Sequence, residues 1–277
     1  MKLAMLNDTI VPLDQLDPIY FDRGIYFGDG VYEVLRSYNG KLFALSEHLQ
    51  RFAHSLEAVR INSVDIDTVR RRVERAFQTA ELPDAKIYFH VTRGSAPRNH
   101  VWDTELEPNF FLTVSAVPDC SHEKASGIAV LTHPDWRWKR CDIKSLNLLA
   151  NVLARQDAIE KGYDEAILVD EAGLITEGAG SAFFAIQGNT LQTAPLTANI
   201  LPSITRAYII KTAQNIGMEI VEQCLTPTQA ASANELLTAM TTKDIVPVVK
   251  FDETTIADGK PGPHTRAIAE AFLKFTV

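Results

Sequence analysis

The chain has 277 residues, 46% hydrophobic and 22% charged, a size and composition that predict a globular protein of two domains or one large α/β unit. Its net charge of −8 argues against nonspecific nucleic-acid binding, which needs Lys and Arg to neutralise phosphates, and no run approaches the roughly 20 apolar residues of a membrane span. The first residues, Met-Lys-Leu-Ala-Met-Leu-Asn-Asp, lack the apolar core of a signal peptide, and scattered Cys120, Cys141 and Cys224 without CxxC spacing predict a reduced, cytoplasmic setting with neither disulfides nor zinc.

In chain order, strand-like 31–38 and Lys41-Leu-Phe-Ala flank Asn39-Gly40, a pair suited to the positive φ angles of a type I′ hairpin turn. Ser46 reads as the N-cap of an amphipathic helix carrying Leu49, Phe52, Ala53, Leu56 and Val59. A second helix from near Asp67 places Val69, Val73, Ala76, Phe77 and Ala80 on one face. Strands are predicted at 86–92 and 110–117, separated by a loop at 93–102 that is too polar and turn-rich for core. Residues 118–124 are the best linker, dividing an N-terminal domain, 1–117, from a C-terminal domain, 125–277.

Beyond it, a helix fits 147–161 and stops at Gly162. Strands fit 165–170, 174–176, 181–186, 218–225 and 235–240, and helices fit 202–216 and 263–275, each with proline near its first position. Strands come in blocks rather than in strict alternation with helices, which predicts mixed α+β domains instead of a doubly wound sheet.

Lys144 lies between apolar Ile143 and Leu146, flanks that would strip water from its amine. A neutral amine can attack an aldehyde and later carry a proton. Glu177, at a strand end beside Gly178, could lie close against a flat ring and keep a ring nitrogen protonated. An imine-forming lysine and such a carboxylate are what pyridoxal phosphate asks of a protein. Ile204 and Thr205, in Leu201-Pro-Ser-Ile-Thr-Arg, would offer the unpaired N–H groups of a helix start to a phosphate. Thr241-Thr242 and, if it points inward, Arg51 could add donors, while Arg98 and His100 could clamp a substrate carboxylate. Each residue also has an ordinary reading: a solvated lysine, a turn carboxylate, a proline-started helix, a strand end, a snorkelling arginine, a mobile basic loop. GxSxG, HExxH, Walker A and a complete GxGxxG are missing, and the histidines lack ligand spacing, so no metal is predicted.

Together these residues resemble the fold-type IV pyridoxal-phosphate enzymes, most closely the D-amino-acid aminotransferases. The resemblance runs over nearly the whole chain and is carried by Phe27-Gly-Asp-Gly-Val-Tyr-Glu, Glu47-His…Arg51, Val91-Thr-Arg-Gly…Pro97-Arg-Asn-His, Arg140-Cys-Asp-Ile-Lys-Ser-Leu-Asn, Thr176-Glu-Gly and Ile204-Thr-Arg. It implies two α/β domains with the cofactor in the cleft between them. It implies Lys144 as the cofactor lysine and proton carrier, and Glu177 as the ring-nitrogen partner. Arg51, Ile204, Thr205 and Thr241 fall where the family binds phosphate, and Leu201 falls where an apolar side chain packs on the ring. Tyr32, Arg98 and His100 match the group that traps the substrate α-carboxylate in D-specific members. There the Arg/His loop comes from the other subunit, so a homodimer is implied.

The resemblance further implies ping-pong transfer from a D-amino acid to a 2-oxo acid, 2-oxoglutarate or pyruvate. Rival readings on the same fold are a branched-chain L-aminotransferase, an (R)-amine transaminase and a 4-amino-4-deoxychorismate lyase. A non-catalytic cofactor-binding homologue is a rival of another class, opposed by the presence of both Lys144 and Glu177. One stretch departs from the family: Ala179-Gly180-Ser181-Ala182 replaces a serine-rich run ending in asparagine, which puts fewer hydroxyls near the ring and alters the expected substrate range.

Overall fold

The computed structural model describes residues 2–276. The chain opens with a small hairpin, β1 (Leu3–Leu6) and β2 (Thr9–Pro12), followed by a short helix α1 (Arg23–Phe27). Next come β3 (Gly30–Tyr38), β4 (Lys41–Leu42), helices α2 (Leu45–Ala58) and α3 (Ile66–Ala80), β5 (Ala85–Thr92) and β6 (Asn109–Ala116). Their four strands form one antiparallel sheet in the order β4-β3-β5-β6. The Asn39-Gly40 turn forms as expected, with Tyr38 opposite Lys41 and both turn residues at positive φ.

Alternation fixes which sheet face is buried. Val31, Leu35, Ile87, Phe89 and Val91 point to a core shared with Leu49, Phe52 and Leu56 of α2 and Val69 and Val73 of α3. Helix α2 begins two residues earlier than an N-cap at Ser46 implies: Ala44, in the left-handed region, is the N-cap, and the Ser46 hydroxyl instead accepts from Arg70 Nη2 at 3.4 Å. Helix α3 is capped by Asp65, whose carboxylate accepts from Asp67 and Thr68 N–H.

Part of the 118–124 segment is helical, as α4 (Ser121–Ser126), which lies against a strand of the second sheet rather than running free. The elements that follow are β7 (Ile128–Pro134), α5 (Leu149–Glu160), β8 (Glu165–Val169), β9 (Ile175–Gly178), β10 (Ala182–Gln187), β11 (Thr190–Thr193), α6 (Ile204–Asn215), β12 (Glu219–Glu222), α7 (Pro227–Ala231), β13 (Glu235–Met240), β14 (Asp244–Phe251), β15 (Thr254–Thr255) and α8 (Pro263–Phe272). Their strands form a mixed sheet in the order β12-β11-β10-β13-β14-β7-β8-β9, with β15 paired to β14. Both faces are buried. Phe183 and Ala185 join one core, while Phe184 and Ile186 join another beneath α6 and α8, which explains the unbroken apolar run in β10.

Three boundaries differ from expectation. Helix α5 starts at Leu149, not 147, with Leu148 as its N-cap residue. Pro202 precedes the N-cap Ser203 instead of occupying the first turn, so Ile204 and Thr205 become the first two helical residues. The strand foreseen at 218–225 shortens to β12.

Candidate active site

Lys144 belongs by sequence to the C-terminal half but is stitched to the N-terminal sheet. Ile143 is buried in the core of that sheet. Tyr32 N–H donates to Lys144 O and Leu146 N–H to Gly30 O, each at 3.0 Å, and Lys144 N–H donates to the buried Ser55 hydroxyl at 3.1 Å. So close an approach needs glycine at 30, since a Cβ there would lie 2.5 Å from Val91 O and 2.8 Å from Leu146 Cδ1. The Lys144 amine is left 3.3 Å from the Tyr32 hydroxyl and 4.3 Å from the centre of its ring.

Both groups face a cavity of about 210 Å³ between the two sheets. Arg51, Glu177, Leu201 and Thr241 line it too, so six of the ten residues singled out by sequence share one space. Ser203 lines it as well. The Ser203 hydroxyl caps α6 by accepting from Arg206 N–H at 3.2 Å, and among the described residues no acceptor meets the N–H groups of Ile204 and Thr205.

Two buried carboxylates brace the cavity walls. Glu33 accepts from Arg51 Nε at 2.7 Å and Nη2 at 2.8 Å, and lies 2.8 Å from His48 Nδ1. Burial alone would raise its pKa, but Arg51's charge and hydrogen bonds, with help from His48, hold it down at about 2. Burial lowers the pKa of His48 despite Glu33, so the neutral ring donates from Nδ1. Arg51 Nη1 also donates to Pro202 O at 2.9 Å, so two of its five N–H groups remain for a ligand.

Glu177 is arranged differently. Its Oε1 takes both protein contacts, from Arg137 Nη1 and from Leu201 N–H at 3.0 Å, leaving Oε2 without a protein donor among the described residues. Burial raises its pKa, and the Arg137 guanidinium only partly opposes this. Asp135 holds Arg137 in turn, at 2.8 Å from Nη2. Cys141, also in the wall, is pushed up to about 11 by burial and meets the site as a thiol.

Arg98 and His100 are not brought to this cavity. Both are exposed, with Arg98 5.1 Å and His100 5.5 Å from the Phe27 ring. Their loop is nonetheless anchored, contrary to its polar reading. Buried Arg93 pairs with Asp29 at 2.9 Å and donates to Val59 and Arg60 carbonyls, while Arg23 Nη1 holds Asn99 O at 2.6 Å. The sequence reading passed over Glu33, Arg137, Asp135 and Ser55. The signal for Arg137 was the need itself: a carboxylate buried within a strand demands a nearby cation, and Asp135-Trp-Arg-Trp supplies one among aromatic residues.

The donor set fits pyridoxal phosphate. There is an amine for an aldehyde, a free carboxylate oxygen for a ring nitrogen, and uncommitted N–H groups on Arg51, Ile204 and Thr205 for a phosphate. Comparisons agree. D-alanine aminotransferase of Bacillus licheniformis is 38% identical over 251 residues, covering 90% of this chain and 88% of that protein. D-alanine aminotransferase of Staphylococcus haemolyticus is 35% identical over 99% of this chain and 98% of its own length. Among solved structures, the branched-chain amino acid aminotransferase of Escherichia coli superposes with a TM-score of 0.87 at 26% identity, covering 97% of this chain and 92% of that one. A hypothetical aminotransferase from Mycobacterium tuberculosis, in its PLP-bound form, shares the fold at 21% identity, with a TM-score of 0.83 over 97% of this chain and 96% of that one. The family model for amino-transferase class IV matches residues 30–251, from the first residue of β3 to the last of β14. That span includes every residue that lines the cavity, and the chain belongs to the class IV aminotransferases, which work with pyridoxal 5'-phosphate.

Proposed function

We propose that the protein moves the amino group of a D-amino acid resembling D-alanine to a 2-oxo acid such as 2-oxoglutarate or pyruvate. The observation that carries this is the Lys144 amine held beside Tyr32 in the same cavity as a carboxylate with one free oxygen, in a chain 35–38% identical to D-alanine aminotransferases. When bound, the cofactor supplies an aldehyde carbon for the amine and a ring that accepts electrons from the substrate α-carbon. Lys144 Nζ would take the proton from the substrate α-carbon and hold it for return. Glu177 Oε2 would accept from the protonated ring nitrogen. Arg51, the N–H groups of Ile204 and Thr205, and Thr241 would hold the phosphate, and Leu201 would offer an apolar side chain to the ring.

Tyr32 binds the substrate α-carboxylate together with Arg98 and His100 of the partner subunit. A second copy suits the surface beside the site, where Ile25, Val101, Leu149 and Val152 are more than half exposed. The chain then divides into domains at 118–124, and a reducing cytoplasm suits its three free cysteines.

The purified holoenzyme will be yellow and will bleach with D-alanine alone. Bleaching by L-leucine but not D-alanine would sink the D-specific reading, and release of pyruvate from aminodeoxychorismate without an amino acceptor would favour the lyase. Lys144→Ala abolishes turnover; retained activity overturns the assignment. Arg98→Ala chiefly raises KM for D-amino acids, roughly tenfold or more for a lost charge-assisted bond. An unchanged KM removes it from the carboxylate site.

A further inference from the structure

The turn between β13 and β14 presents Thr241 and Thr242 to the cavity and is closed by Asp244, opposite Met240 in the register. Asp244 has φ +58°, a left-handed conformation that favours glycine. A carboxylate stands there instead, and it is heavily engaged. Arg36 Nη1 donates to its two oxygens at 2.9 and 3.0 Å, the Tyr38 hydroxyl donates to Oδ1, and Lys124 Nζ donates to Oδ2 at 2.7 Å. Burial, with Asp244 beside it, pushes the Tyr38 pKa up, so that hydroxyl stays protonated as a donor.

Three distant segments thus meet on one side chain: β3 through Arg36 and Tyr38, α4 through Lys124, and the β13–β14 turn itself. Arg36 Nη1 also donates to Thr242 O at 3.3 Å, and neighbouring Lys243 pairs with Glu123 of α4 at 2.8 Å. The same β3 carries Tyr32 and Val34 into the cavity. A role in the turn alone accounts for the backbone angle; it leaves the convergence of donors from β3 and α4 unexplained.

We propose that Asp244 is a positioning residue for the cofactor: by tying the β13–β14 turn to β3 and α4, its carboxylate holds Thr241 and Thr242 where the phosphate binds. This rests on the assignment of Thr241 to that phosphate.

Asp244→Gly gives the turn the residue its backbone favours and removes the anchor, together with the counter-charge of Arg36. Loss of pyridoxal phosphate from the holoenzyme on dilution, followed by visible absorbance, should be at least tenfold faster in Asp244→Gly and in Arg36→Met. The double variant should be no faster than the faster single, because both break one tie. Loss within twofold of wild type in Asp244→Gly overturns the proposal, as does a lower apoprotein melting temperature with unchanged cofactor loss. If Asp244→Gly does not fold, Arg36→Met decides alone by the same criterion. Thr241→Val separates the two layers of the claim. Wild-type retention there sinks the phosphate assignment beneath the proposal, whereas fast loss from Thr241→Val with wild-type retention in Asp244→Gly sinks the anchor alone.

Discussion

Two walls of one cavity carry a buried carboxylate paired with an arginine, yet the pairs are built for different ends. On the β3–α2 wall, both oxygens of Glu33 are consumed by Arg51 and His48, and the carboxylate is held at about 2. On the β9 wall, Glu177 spends Oε1 on Arg137 and Leu201 and keeps Oε2 free, and its pKa is raised. A carboxylate with every lone pair committed to protein fixes its neighbour's position. One with an oxygen left over can meet a ligand. The contrast separates a residue that orients the machinery from one that touches it.

The largest effect comes from the saturated side. Glu33→Gln leaves the Arg51 guanidinium buried without a counter-charge, and the apoprotein loses about 3–5 kcal/mol in chemical denaturation. A loss below about 1 kcal/mol would erase the distinction between the walls. The acid limb should report the same pair. Glu33 is lowered from 4.5 to about 2 in the fold, so its stabilisation is present above pH 4.5 and disappears as the pH falls from 4.5 through about 2. That shift is on the order of 3 kcal/mol, and Glu33→Gln should flatten this part of the stability profile. The smallest effect on the fold comes from Glu177→Gln, because Arg137 keeps Asp135 as a partner. Here kcat should fall roughly 10²-fold or more, the scale of a misplaced catalytic proton, with denaturation little changed. A variant that unfolds readily while retaining kcat would reverse the two roles.

What could be read from the sequence was local. The hairpin at Asn39-Gly40, the apolar stripes of α2 and α3, and the contexts of Lys144 and Glu177 depend on neighbours a few residues away. The pairings that make these residues work do not. Arg137 lies 40 positions before Glu177, and Ser55 lies 89 before Lys144, so neither contact has a periodic signature. Strand β14 escaped notice because Pro247 interrupts it; in the structure its pairing with β7 begins only at Val248, so no β7 residue needs an N–H from that proline. Arg98 and His100 were singled out from their polar loop and then by the resemblance, and within one chain they lie outside the cavity.

Gly30 has a mechanical consequence. Because Lys144 O accepts from Tyr32 N–H and Leu146 N–H donates to Gly30 O, the amine travels with the N-terminal sheet, while Glu177 travels with the C-terminal one. The gap between amine and carboxylate is therefore a gauge of how the two sheets sit against each other. A slide of one past the other would change the span available to a ring between them without altering a single side chain in the cavity.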